Sequence, residues 1–254
     1  MVDFKMVDIN GQYRHVTIPA ENFSEETMKS GIGFDASNYG YAVVEKSDMV
    51  FIPDPDTAVI DPFCEIPTLS MTGNAMIIDT PENRPLAQYP RNIIKAAVEY
   101  MKKSGVADEM KILPEFEFYL FDDVTWNVDG RYIGATVDAK QSYWNSDVEG
   151  HGVVVPKQKN YHIAKPFDTS YECRSEMCLL MKEAGIEINY HHPEVAASGQ
   201  FEIEPQLGEV VHMADATMMI KYIIHNTALK YGKSATFMPK PIYGEAGNGM
   251  HVHM

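Results

Sequence analysis

The chain has 254 residues, 45% hydrophobic and 22% charged, a make-up that suits a globular protein with one large core or two ordinary ones. Its 21 Lys and Arg against 36 Asp and Glu give a formal charge of −15, a field that repels phosphate backbones and anionic lipid and argues against nucleic-acid or membrane-surface binding. The longest apolar run, Met177–Met181, is far short of the ~20 residues that span a bilayer; the start MVDFKMVDINGQ lacks a secretory pattern; and Cys64, Cys173 and Cys178 have no metal-ligand spacing, so a reducing cytoplasm is the expected setting.

In chain order, Asn10-Gly11 between the alternating stretches Phe4–Ile9 and Tyr13–Ile18 predicts a two-residue hairpin. A short polar helix is expected from Ser24 to Lys29, then strands at Tyr41–Val44, Met49–Ile52 and Ala75–Ile78. The proline-rich, polar stretch Thr80–Tyr89 reads as a linker, and a domain boundary is placed near residue 86. Pro90 opens a helix that closes at Gly105, with Ile93, Ile94, Ala97, Val98 and Met101 on one face. A second helix is expected from Thr169, with Glu172 at capping-box spacing, to Gly185, its apolar face being Cys173, Met177, Leu180 and Met181. A third runs from about Asp215 to Lys230 and stops at Gly232. Strands are expected at Lys111–Phe121, Gly199–Glu204, Thr236–Met238 and Gly249–Met254.

Three of these strands carry paired ligands. Glu115 and Glu117 alternate with Phe116 and Phe118, Glu202 and Glu204 with Phe201 and Ile203, and His251 and His253 flank Val252. Residues i and i+2 of a strand share a face, roughly 6.6 Å apart. His192-Pro193-Glu194 adds another acid. One such pair is ordinarily the solvated face of a strand; three in one domain, each backed by apolar residues, suggest convergence. Two carboxylates ~4 Å apart repel by about 4 kcal/mol at an effective dielectric near 20, so either their pKa values rise or cations lie between them. Mostly oxygen donors with one or two imidazoles favour Mg²⁺ or Mn²⁺ over zinc. The residues by themselves point to a two-metal phosphoryl-transfer or hydrolytic site.

The same residues resemble the glutamine synthetase family, bacterial type I. PEFEFYLF is similar to its Pro-Glu-x-Glu-Phe strand. HHPEVAASGQFEIE resembles its His-His-Glu-Val-Ala-x-x-Gly-Gln-x-Glu signature, with Pro193 in place of a histidine, and RSEMCLLMKEAGIEI resembles the helix before it. GNGMHVHM is similar to the Gly-x-Gly-Met-His-x-His element, and GFDASNYGY to the Phe-Asp-Gly-Ser-Ser loop. The resemblance implies an α+β chain: a small N-terminal β-grasp domain (1–85), then a catalytic domain (86–254) whose antiparallel strands form a half-barrel packed with helices, incomplete at Met254. By motif position, Glu117, Glu194 and Glu202 would hold one metal ion, and Glu115 and His251 the other. His253 would face the ATP phosphates and Gly247 the glutamate, while Asp35, Ser37, Tyr161 and Glu194 would form the ammonium site. Glu204 matches no ligand role in the family and is read as an edge or supporting acid. For Asp35 a turn-capping role is an equal alternative, and for Tyr161 a packed loop aromatic is the ordinary one.

The implied reaction joins ammonia to the γ-carboxylate of L-glutamate through a γ-glutamyl phosphate, with ATP as phosphoryl donor and two Mg²⁺ or Mn²⁺ per site. Its implied assembly is a ring-type homo-oligomer, a dodecamer, in which the Asp35 loop serves a neighbouring subunit. Ala246 and Asn248 stand where Asn and Ser are common, and Ala36 and Asn38 where Gly and Ser are usual. These departures leave open another amine acceptor (a polyamine or ethanolamine); a catalytically silent assembly or regulatory subunit is a separate alternative. Because the family's later arginines, last metal-ligand Glu and flap have no counterpart before Met254, this polypeptide alone is expected to have little or no synthetase activity.

Overall fold

The computed structural model describes residues 1–78, 83–150 and 152–254. It falls into two compact units: Met1–Lys111 with Glu209–Met218, and Ile112–Gly208 with Met219–Met254. Among the described residues, no helix is long and apolar enough to cross a membrane.

The first unit opens with β1 (Val2–Val7), antiparallel to β2 (Tyr13–Ile18). The connection is longer than the sequence suggested. Val7 pairs with Tyr13, and Asp8 closes the loop by accepting from the N–H groups of Asn10 and Gln12. Gly11 alone takes positive φ there, at +75°, so Asn-Gly marks the turn without being a two-residue one. Helix α1 (Glu25–Ser30) starts at an N-cap Ser24 in a reciprocal capping box with Thr27. Strands β3 (Ile32–Asp35), β4 (Asp48–Pro53), β5 (Val59–Ile60), β6 (Leu69–Met71), β7 (Gly73–Ile77) and β8 (Arg84–Pro85) complete two sheets, ordered β2-β1-β6-β5 and β3-β4-β7-β8.

Phe4, Met6, Phe51, Ala75, Leu86 and Tyr89 form the core of this unit, with the Phe4 and Phe51 rings edge-on at 6.4 Å. The β-grasp and α+β expectations hold here. The expected strand Tyr41–Val44 does not form: the Tyr41 ring is buried while its hydroxyl donates to Val7 O at 2.9 Å, a tertiary use of an apolar run. Of the expected linker, Thr80–Glu82 lies outside the described residues. Beyond it β8 pairs with β7, and Leu86 and Tyr89 enter the core, so that part is structural. Helix α2 (Pro90–Ser104) ends at Gly105 in the left-handed region, as expected. Its anticipated apolar face is covered only in part, with Ile94, Val98 and Met101 half-buried and Ile93 53% exposed, while Arg91 and Asn92 are the buried residues. Arg91 bonds Asp54, Asn74 and Asp215, and Asn92 donates to Ala75 O and Leu86 O, so polar contacts seat this helix.

In the second unit the expected continuous strand Lys111–Phe121 is broken at Glu115 into β9 (Lys111–Pro114) and β10 (Phe116–Phe121). A hairpin not anticipated from the sequence follows, β11 (Asp123–Val128) with β12 (Ile133–Asp138). Helix α3 (Tyr171–Glu183) buries Cys173, Met177 and Met181 as predicted, with Arg174 among them. Its capping box is absent: Ser170 caps without a side-chain bond, Thr169 donates to Gln141, and Glu172 bonds Lys165. After β13 (Ile188–Pro193), β14 (Gln200–Pro205) and the two-residue β15 (Gly208–Glu209) comes α4 (Val210–Lys230), longer at its start than expected and counted with the first unit up to Met218 and with the second from Met219. The strands expected at Thr236–Met238 and Gly249–Met254 are β16 (Ser234–Thr236) and the short β17 (Val252–His253).

The central sheet, β13-β14-β10-β16, is antiparallel throughout. Its period-2 alternation sends Phe116, Phe118, Phe201 and Ile203 to the side of α3, where the Arg174 guanidinium lies 4.4 Å over the Phe201 ring. The other face carries the acids.

Candidate metal centre

Register builds the site. Glu117 on β10 lies opposite Glu202 on β14, and Glu202 lies opposite His192 on β13. One row across three strands therefore presents carboxylate, carboxylate and imidazole on one face. His192 Nε2 is 3.4 Å from a Glu202 oxygen, and its Nδ1 is 3.9 Å from Glu194, just past the end of β13. Ligand atoms of His192, Glu194 and Glu202 all lie within 4.8 Å of one another, and so do those of Glu115, Glu202 and Glu204. Glu202 belongs to both sets.

Glu115 reaches this face by a different route from the one its spacing implied. It sits at the break between β9 and β10, where β9 turns to pair with β17 and the Glu115 N–H donates to His251 O at 2.9 Å. His253 Nε2 lies 2.6 Å from Glu115, whereas His251 Nε2 is 3.7 Å from Glu117. The expected pairing of His251 with Glu115 is thus exchanged in position, and both imidazoles are well exposed.

Residues passed over in the sequence hold the row in place. Gln200, fully buried, donates to Glu117 at 3.2 Å, to Gly247 O and to Asn248, and accepts from Ala196 N–H. Asn160, also fully buried, donates to the carbonyls of Glu194 and Gln200, tying the Tyr161 loop to the acids. Their signal was a Gln and an Asn beside motif residues, which spacing does not separate from ordinary loop polarity. Gly249 approaches so closely that a Cβ there would stand 2.8 Å from both Glu117 Oε1 and His251 Nε2, and a Cβ on Gly247 would stand 2.5 Å from Pro239 O. Glu204 accepts from Asn189 at 2.9 Å and from the Tyr190 hydroxyl, which suits a supporting acid. Tyr161 is 54% exposed, with its ring stacked on His162 at 3.9 Å and edge-on to His192 at 5.5 Å. Asp35 and Ser37 belong to the first unit, where the Asp35 carboxylate accepts from Ser37 N–H and Oγ and from Asn38, a turn cap.

The electrostatics call for cations. Burial first, then the charges of Glu194, Glu115 and Glu117, push Glu202 up to about 8. Burial also raises Glu117, against the N–H of Gly249, with Glu194 adding to the rise. Among the described residues no Lys or Arg pairs with Glu115, Glu117, Glu194 or Glu202. An oxygen-rich donor set with imidazole neighbours is the chemistry that a hard divalent cation would take.

Comparison with known proteins gives the family. A sequence model described as the catalytic domain of glutamine synthetase matches residues 87–254, and one for the glutamine synthetase beta-grasp domain matches residues 1–77. The chain is 42% identical to the 3-hydroxylaminophenol mutase of Cupriavidus pinatubonensis, over 99% of this chain and 54% of that protein. It is 40% identical to the glutamine synthetase of Pseudomonas aeruginosa, over 100% of this chain and 55% of that protein. The solved glutamine synthetase of Plasmodium falciparum superposes with a TM-score of 0.88 at 26% identity, covering 99% of this chain and 49% of that one. The chain spans about half the length of the curated relatives it matches.

Proposed function

The chain belongs to the glutamine synthetase family, and from that premise we propose that it carries the metal-binding and nucleotide-binding part of an ATP-dependent glutamate–ammonia ligase. The observation that supports this best is the row Glu117–Glu202–His192 with Glu194 and Glu115 beside it, one buried and three half-buried acids that pair with no Lys or Arg among the described residues. Glu117, Glu194 and Glu202 would hold one ion and Glu115 with His251 the other, although the imidazole against Glu115 is that of His253 and His251 stands 3.7 Å from Glu117. When bound, Mg²⁺ or Mn²⁺ supplies charge neutralisation to the oxygens of the transferring phosphoryl group. His253 and Gly247 are assigned to ATP and L-glutamate, and Asp35, Ser37, Tyr161 and Glu194 to ammonium selection, with the Asp35 loop serving a neighbouring subunit of a ring-type, dodecameric homo-oligomer in the cytoplasm. The domain division proposed is 1–85 and 86–254; the two matched regions, 1–77 and 87–254, support it, although compact packing follows another line.

The test is nucleotide binding. The 254-residue chain is titrated with ATP in the presence of Mg²⁺, Mn²⁺ or chelator, with Glu117→Gln and Glu202→Gln alongside, and ADP formation from glutamate and ammonium is followed in parallel. Metal-dependent ATP binding lost in both variants supports the reading; metal-independent ATP binding sinks it. Identity to the 3-hydroxylaminophenol mutase motivates a second reading, isomerisation of a hydroxylaminophenol. Turnover of 3-hydroxylaminophenol without ATP would favour it.

A further inference from the structure

On the α3 side of the central sheet lies a cavity of about 480 Å³ lined by His162, Lys165, Asp168, Tyr171, Arg174 and His191, with Ile163 and Pro193 as apolar wall. His191 and His192 are neighbours on β13, so their side chains leave opposite faces of the sheet, one towards this cavity and one towards the acids. We propose that the cavity is a binding site for a small planar monocarboxylate, separate from the metal centre.

The lining chemistry selects that class. Arg174 is 1% exposed and both terminal nitrogens hold Asp168, at 2.8 and 2.7 Å, so its charge is committed. Its Nε donates to His191 Nδ1 at 3.3 Å, which places the remaining ring proton on Nε2. That bond uses the Nδ1 lone pair, so this ring is a neutral donor through Nε2. Its Nε2 meets Ser175 Oγ at 3.5 Å, a long contact that a ligand oxygen can replace. Lys165 is the one lining cation outside the buried pair. It lies 4.5 Å over the Tyr171 ring and bonds Glu172 in an exposed ion pair that costs little to exchange. One exchangeable cation and one neutral donor suit a single carboxylate; a phosphate dianion would call for a second free cation.

The aromatic faces of Tyr171 and His162, with Ile163 and Pro193, suit a flat body. His162 is a non-glycine residue held at φ +56°, its N–H bonded to Pro193 O at 3.1 Å, and such backbone conformations gather at ligand sites. Its ring also packs 4.5 Å from His192, which links the cavity to the acids; that coupling rests on the function proposed above.

The probe is benzoate, titrated into the metal-free 254-residue chain with ¹³C-labelled histidine and read on the imidazole signals. Saturable shifts of His162 and His191 are expected, with affinity weakened by about tenfold in Lys165→Met and in Tyr171→Ala. Both residues are exposed, so circular dichroism should report an intact fold. Benzamide, which lacks the charge, and cyclohexanecarboxylate, which lacks the flat ring, should bind more weakly. Absence of a saturable shift, equal binding of benzamide, or unchanged affinity in both variants overturns the proposal. Repeating the titration with Mg²⁺ tests the coupling alone: equal benzoate affinity with and without bound Mg²⁺ removes the link to the acids. Failure of Mg²⁺ to bind counts against the metal centre, while the metal-free result stands by itself.

Discussion

Glu117 and Glu202 occupy directly opposed positions on β10 and β14, two acids facing each other across one register step of an antiparallel pair. Like charges so placed destabilise a sheet unless something neutralises them. His192, opposite Glu202 on the next strand, supplies only an imidazole. The pair is tolerable because Glu202 holds a proton until about pH 8 in the metal-free chain.

Metal binding should therefore expel that proton. At pH 7, calorimetry of Mn²⁺ or Mg²⁺ binding in buffers of different ionisation enthalpy should report release of about one proton, and affinity should climb from pH 6 towards about 8. Binding heats that do not depend on the buffer would contradict the protonated Glu202.

Glu202→Gln should separate stability from metal affinity. The folded pKa of Glu202 is raised, so the wild-type metal-free chain loses stability as pH rises from the unfolded carboxylate range to about 8. The variant lacks this loss and should melt no lower than wild type at pH 8 without metal. Added metal at a hundredfold excess over Kd should stabilise wild type by about 2.7 kcal/mol and the variant far less. Thermal melts with and without Mn²⁺ check both halves, and an equal metal-induced rise in Tm would remove Glu202 from the site.

Gly249→Ala should weaken metal binding without unfolding the chain. The added Cβ meets the ends of two movable side chains, Glu117 and His251, so they can yield, but in yielding they leave the row. A loss of about tenfold or more in Mn²⁺ affinity is expected, as for other changes beside metal ligands. Equilibrium dialysis would settle it, with wild-type affinity as the adverse result.

Lys5→Met should be costly in the first unit. Lys5 is buried and its ammonium holds Asp3 at 2.7 Å, Asp61 at 2.9 Å and Ser70 at 2.9 Å. Removing it takes the compensating ammonium from two buried acids that keep only neutral donors or an exposed His15, and urea unfolding should show a loss of about 3 kcal/mol. In wild type, burial would raise Asp3, but its bonds to Lys5, Thr17 and His15 outweigh that and hold it below the ordinary carboxylate range. Its stabilisation is present above the unfolded pKa and disappears as pH falls through the lower folded one. Acid unfolding in which Lys5→Met and wild type lose stability in parallel would argue against this network.

Alternation of residue type was enough to identify the strands that carry the acids, because a strand's two-residue period is written directly in Phe116, Glu117 and Phe118 and again in Phe201, Glu202 and Ile203. The glycine stops at Gly105, Gly185 and Gly232 were legible for the same local reason, positive φ at each. What periodicity does not carry is pairing. The break at Glu115, the opposition of Glu117 to Glu202, the placement of His253 beside Glu115 and the Gln200 and Asn160 ties all depend on which strand lies next to which. The same holds for α2, whose apolar stripe gave way to the polar anchors Arg91 and Asn92. Local chemistry fixed which residues could bind; long-range hydrogen bonding and burial decided which of them meet, since those energies arise only between segments distant in the chain.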